Sequence, residues 1–214
     1  MDRLLAEMTR RGAVLIDPIS LPPGSGYASE FEVLQYEFKA GLNEYLADLG
    51  PDAPVHTLRE VIEFNERHAQ QEMPWFKQET LIKSEAKGPL TEQAYLDALA
   101  KCRKASRDDG IDALMKKNQL DAIFCSGGGP APVIDYAYGD GNTGGGGIAL
   151  AAVAGYPSIS VPAGFIEGMP VSVFFMSGAW SEPSLLRIAF AFEQAIKARK
   201  PPGFLPTISP SELS

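Results

Sequence analysis

Apolar positions along the chain follow two different rhythms. Up to about residue 120 they recur at helical spacing, and from residue 121 they gather in short runs between loops dense in glycine and proline. Leu4, Leu5 and Met8 share one face of a short helix that Gly12 ends. Ala13 to Ile16 reads as a buried strand, closed by Asp17-Pro18 and a Pro/Gly loop. The clearest helix carries Phe31, Leu34, Phe38, Leu42, Tyr45, Leu46 and Leu49 on one stripe, expected to be core. Ser29 with Glu32 makes a capping box for it, and Gly50-Pro51 stops it. Thr57 with Glu60 opens the next helix, which Pro74 breaks before Trp75-Phe76.

A long helical run from Thr91 to about Asn118 has Tyr95, Leu96, Leu99, Cys102, Ile111 and Leu114 on its apolar side, with Gly110 as a bend. Three runs rich in Ile, Val and Phe follow: Ala122 to Cys125, Ser158 to Val161 and Val171 to Met176. Each is bounded by Gly, Pro or turn residues, as buried strands are. Ser181 is placed to cap a last helix, with Glu182 and Pro183 in its first turn. Its Leu185, Leu186, Ile188, Ala189, Phe190 and Phe192 are apolar enough to predict burial on more than one side. The pattern predicts an α/β fold, a mixed β-sheet flanked by helices. Residues 1–120 form a mostly helical region with one early strand, 121–200 a sheet-and-loop core and 201–214 an extended tail.

Composition narrows the chemistry. The net charge of −8 and the lack of a basic stripe argue against nucleic acid as a partner. No apolar run approaches the ~20 residues of a membrane span, and the acid-bearing N-terminal helix does not read as a signal peptide. A cytoplasmic protein is the expectation. Cys102 and Cys125 lack metal-ligand spacing and read as small buried hydrophobes.

A serine nucleophile needs a proton acceptor and oxyanion donors, and no G-x-S-x-G is present. Ser126 has the most suggestive setting, after a strand and before Gly127-Gly128-Gly129; Thr143, Ser158 and Ser160 are weaker candidates. The imidazole bases available, His56 and His68, lie in the helical half and read as solvated or capping residues. Asp135, Asp140 and Asn142 are too sparse for a Ca or Mg site and suit turns better. Neither glycine run fits a dinucleotide or phosphate-binding fingerprint, so no metal and no cofactor is expected.

The stretch A-A-V-A-G-Y-P-S-I-S-V-P-A-G, then G-M-P-V-S-V-F-F-M-S-G and W-S-E-P-S-L-L-R-I-A-F-A-F-E-Q-A, resembles the C-terminal part of amidase-signature hydrolases. L-D-A-I-F-C-S-G-G-G-P-A-P is similar to that family's strand and loop ending in Pro-Thr, with Cys125-Ser126 in place of Pro-Thr. The helical stretches F-E-V-L-Q-Y-E-F-K-A-G-L-N-E-Y-L and T-L-R-E-V-I-E-F-N are similar to the insert of its peptide-amidase-like branch. The resemblance implies one incomplete amidase-signature domain over residues 1–214.

The family hydrolyses amide bonds with a Ser–Ser–Lys triad in its N-terminal half. Nothing here matches the nucleophile stretch or the lysine, so no catalytic residue carries over, and the chain is expected to be inactive alone. The resemblance implies that the loop from Ser126, Gly127 and Gly128 to Pro130, and the segment with Asp140, Asn142 and Gly146, face the substrate pocket. Gly146 and Gly147 stand where the family often has serines. The implied partners are a small amide or peptide-amide substrate, once the fold is completed, and either the N-terminal half or a second copy of the chain. A non-catalytic scaffold derived from the fold, one chain of a split amidase, and a hydrolase using Ser126 with His68 are the other readings. None of the three strand runs is charged or proline-blocked in this reading, so exposed apolar sheet edges are expected.

Overall fold

The computed structural model describes residues 1–20, 27–139, 141 and 148–204. The chain divides into two compact units, one of residues 1–23 with 105–214 and one of residues 24–104.

The first unit is built on three strands. These are β1 (Ile123–Ser126), β2 (Ser158–Ile166) and β3 (Met169–Met176), ordered β1-β3-β2 and paired antiparallel. β3 is the spine, and its alternation sets the layers. Val173 and Phe175 point into one core with Leu4 of α1 (Asp2–Arg10) and Leu185, Ala189 and Phe192 of α9 (Glu182–Ile196). Phe174 and Met176 point to the opposite face, where Ile111 and Ile123 pack with Ala151 and Ala154 of α8 (Ile148–Ala154). The rings of Phe124, Phe175 and Phe192 lie 5.0, 5.5 and 5.9 Å apart and tie β1, β3 and α9 together. The α/β architecture with helices on both sheet faces matches the expectation.

The long helical run breaks where Gly110 stands. α6 (Gln93–Arg103) passes into a π-type segment, Lys104–Ile111, kinked at Gly110 (φ −99°, ψ −113°), before α7 (Asp112–Asn118). A Cβ on Gly110 would sit 2.7 Å from the Ala105 carbonyl oxygen, so only glycine fits.

The second unit is helical: α2 (Tyr27–Ala47), α3 (Leu58–Arg67), α4 (Ala69–Glu72), α5 (Glu79–Glu85) and α6. The Thr57 box forms, with Thr57 Oγ1 accepting from Glu60 N at 3.2 Å. The Ser29 box does not, because α2 already begins at Tyr27 and Glu32 is taken by the Lys87 ammonium at 2.7 Å. Most of the apolar stripe of α2 is also not core; of its members only Leu46 is buried. Phe31, Leu34, Phe38, Tyr45 and Leu49 are exposed, whereas Val33, Tyr36 and Leu46 are buried. The inner face tolerates polar groups because each finds a partner. Tyr36 Oη donates to Glu92 at 2.7 Å and Tyr95 Oη to Glu37 at 2.8 Å, while Lys39 Nζ donates to the Glu85 and Lys87 carbonyls at 2.6 and 2.8 Å.

Two further expectations change. Residues 13–16 alternate between half-buried and exposed, but they are not a strand; Val14 is 91% exposed. Among the described residues no neighbour lies beside them to accept and donate the ladder hydrogen bonds a strand requires. α9 buries one face only, leaving Leu186 and Phe190 exposed. Ser181 occupies its N-cap position but turns its hydroxyl back to the Gly178 carbonyl at 2.6 Å.

Candidate functional site

The loop expected to face substrate leaves the end of β1. Ser126 is exposed at the last strand position. Gly127 donates its N–H to the Ser172 carbonyl at 2.9 Å, and a Cβ there would collide with the Ser172 hydroxyl. Gly128 has φ +113°, a conformation that side chains rarely adopt. These two glycines let the chain hug β3 and then turn sharply out of the sheet. Further along, Asp135 Oδ1 accepts from Ala137 N and Tyr138 N at 2.8 and 2.9 Å, so this aspartate serves a turn, as expected. Ser126, Gly127 and Gly128 are therefore brought together. Asp140, Asn142 and Gly146 lie outside the described residues, as does Thr143.

Neither histidine nor the buried cysteine is arranged as a nucleophile or base. His68 is the C-cap residue of α3; its Nδ1 lies 2.9 Å from the Phe64 carbonyl and its ring stacks on Phe64 at 4.2 Å. His56 gives its backbone N–H to the Glu60 carboxylate. Burial, helped by Glu30 and Glu37, pushes the Cys102 thiol up, away from the reactive thiolate. Among the described residues no three His, Cys, Asp or Glu side chains converge as a metal would need. No helix of the described residues is long and apolar enough to cross a membrane.

A polar cluster fixes the turn into β2. Arg107 Nε donates to the Ala154 carbonyl at 2.7 Å, placing a cation at the C-terminus of α8. Its guanidinium lies 5.3 Å from the Tyr156 ring, and Tyr156 Oη donates to Asp112 at 2.9 Å. Burial, then the Asp112 carboxylate, push that phenol up.

Sequence reasoning did not point to one feature beside the sheet. A cleft of about 560 Å³ runs along β1. Residues 119–125 line one side and Gly12–Ile16, Asp17 and Ile19 the other, with Leu5, Met8, Phe175 and Ile188 completing it. The signal that could have found it is the pair of apolar runs, 13–16 and 122–125. Backbone groups turn to alternate sides along an antiparallel strand. Since Gly127 faces β3, Ile123 and Cys125 do too, and Ala122, Phe124 and Ser126 turn their N–H and C=O groups away from β3, Ala122 and Phe124 at the cleft.

No family model matches the chain. It is 36% identical over 212 residues to a probable amidase of Arabidopsis thaliana, covering 96% of this chain and 38% of that protein. A structure of the peptide amidase PAM in complex with the competitive inhibitor chymostatin superposes with a TM-score of 0.88 at 41% identity, over 95% of this chain and 41% of that one. Native peptide amidase from Stenotrophomonas maltophilia gives a TM-score of 0.82 at 39% identity, again over 95% of this chain and 40% of that one. The chain thus spans about two fifths of the length of these relatives. Identity of this size, at full coverage of this chain and with the same fold, places it in the amidase-signature family, as the counterpart of a C-terminal portion of its peptide-amidase-like members.

Proposed function

We propose that this chain forms part of an amide-hydrolysing enzyme of the peptide-amidase type, supplying sheet, helices and one wall of the substrate site but not the catalytic groups. The observation that carries the reading is the 41% identity at a TM-score of 0.88 to peptide amidase across 95% of the chain. The turn at Ser126, Gly127 and Gly128 supports a wall role, because its backbone is held rigidly against Ser172 and offers an exposed serine and close-approach glycines to a ligand. Asp140, Asn142 and Gly146 are proposed on the family resemblance to extend that wall. The substrate is an amide or peptide amide, the setting the cytoplasm, and the net charge of −8 argues against nucleic acid as a partner.

The test is ammonia release from a peptide amide by the 214-residue chain, alone and mixed with the remaining part of Stenotrophomonas maltophilia peptide amidase made as a separate polypeptide. The reading expects no turnover by the chain alone and turnover by the mixture. Turnover by the chain alone that Ser126→Ala abolishes would replace it with a self-contained serine hydrolase. A second reading, a non-catalytic interaction protein, is favoured by the exposed Phe31, Leu34, Phe38 and Tyr45 of α2; it expects binding by the mixture without turnover.

A further inference from the structure

The loop that follows the Ser126–Gly128 turn inverts the usual placement of side chains. Its polar residue Asp135 is half-buried, while Val133, Ile134, Tyr136 and Tyr138 are 76%, 73%, 58% and 94% exposed. Single apolar residues in water are ordinary, but here four fall within six positions. The patch is held in shape from inside. Asp135 Oδ1 accepts from Ala137 N and Tyr138 N at 2.8 and 2.9 Å, and the Asp135 carbonyl accepts from Gly139 N at 3.0 Å. Gly139, at φ +80°, takes the left-handed conformation that ends this turn. At the neck, a Cβ on Gly141 would lie 3.2 Å from Pro132 Cβ, so the two limbs of the loop meet there. A short surface loop with its ends together and its own groups as braces is a common form of binding loop.

Ordering such a loop costs conformational entropy, and the apolar side chains it orders are left in water. From this geometry we infer that residues 133–138 are the specificity subsite of the substrate wall, receiving a large apolar or aromatic side chain of a peptide amide. Continuity and chemistry point to that occupant. The neck at Pro132 lies four residues beyond Gly128, so the patch extends the turn proposed to face the substrate. Val133 and Ile134 offer dispersion contacts. The rings of Tyr136 and Tyr138 offer edge or face contacts to another aromatic ring while their phenols stay wet. An acidic side chain finds no counter-charge on this segment, because no Lys, Arg or His stands between Lys117 and Arg187. The inference rests on the amidase reading for the class of substrate and on the braced loop for the subsite.

The experiment uses two probes, N-acetylphenylalaninamide and N-acetylglycinamide. They are added to the 214-residue chain alone and to its mixture with the remaining part of Stenotrophomonas maltophilia peptide amidase as a separate polypeptide. The phenylalanine probe is expected to shift the backbone amide resonances of residues 133–138 in both samples, and the glycine probe to leave them in place. In the mixture, kcat/KM is expected to favour the phenylalanine probe. Ile134→Ala combined with Tyr138→Ala should lower that preference at least roughly tenfold without lowering the Tm of the chain alone, since both side chains are exposed. Tyr138→Phe, which keeps the ring, should retain the preference. The readout is the ratio between probes. An equal fall for both would assign these residues to packing against the remaining part and overturn the inference. So would shifts absent from both samples, or a preference that survives the double variant. Turnover by the mixture without shifts or preference removes the subsite and leaves the amidase reading standing. Shifts specific to the phenylalanine probe without turnover keep the subsite and remove the amidase reading.

Discussion

The two edges of one small sheet teach more about this chain than its centre does. β2 and β1 both pair with β3 and both pack on helices, yet only β2 carries the devices that keep an edge solitary. Pro162 and the bulge after it withdraw donors and bend the strand away. β1 keeps an unbroken ladder edge, with a cleft beside it that residues 12–17 also line. The difference lies in the backbone: β2 withholds a donor at Pro162 and is bulged after it, whereas β1 pairs with β3 in unbroken register. α9 also leaves two large apolar side chains exposed, Leu186 and Phe190.

The comparison can be broken first at its common element. Phe175 is fully buried between the edges and touches both Phe124 and Phe192. Phe175→Ala is expected to cost about 3–5 kcal/mol in denaturant unfolding; a loss below about 1 kcal/mol would mean the sheet does not organise the first unit. A sharper test uses proline as a probe of direction. Cys125→Pro deletes an N–H that faces β3 and should destabilise by about 2–3 kcal/mol, whereas Ser126→Pro deletes one that faces away from β3 and should stay within about 0.5 kcal/mol. Equal losses would refute the assignment of inner and outer sides.

Smaller effects belong to the helical unit. Thr57→Ala removes the cap of α3 and should cost about 1 kcal/mol, read as a lower denaturant midpoint. Tyr36 tests the pairing that lets a polar face point inward. Its hydrogen bond to Glu92, followed by burial, pushes the phenol from its ordinary 10.0 up to about 12. A group whose folded value is raised contributes fully below its unfolded value and loses that contribution as pH climbs through the folded one. Stability should therefore fall between about pH 10 and 12, and the Tyr36→Phe variant should show a shallower fall over that range in thermal melts. Identical slopes would remove the Tyr36–Glu92 pair from the account.

Much of this was readable beforehand, for physical reasons. The strand runs 122–125, 158–161 and 171–176 are dense in β-branched and aromatic residues and bounded by breakers, and all three are strands. The Thr57 box and the Gly110 interruption are local chemistry and survive folding. Residues 13–16 misled because an apolar run states a need for burial, not the presence of a neighbour to hydrogen-bond with. The α2 stripe misled for the opposite reason. Periodicity marks which face is apolar, but Tyr36, Lys39 and Tyr95 reach distant carboxylates and carbonyls that no local pattern announces. At the candidate site, the turn of Ser126 to Gly128 was legible from its glycines, while the cleft was not, because it joins residues 13–16 to residues more than a hundred positions away.

The most direct test of the account is residue-resolved amide exchange along β1 in the chain by itself. Cys125 and Gly127, bonded to β3, should be protected, and Phe124 and Ser126 should exchange as freely as a loop. That alternation would establish β1 as an open edge of the sheet. Uniform protection of all four amides, independent of protein concentration, would show the sheet already closed at β1 and contradict it.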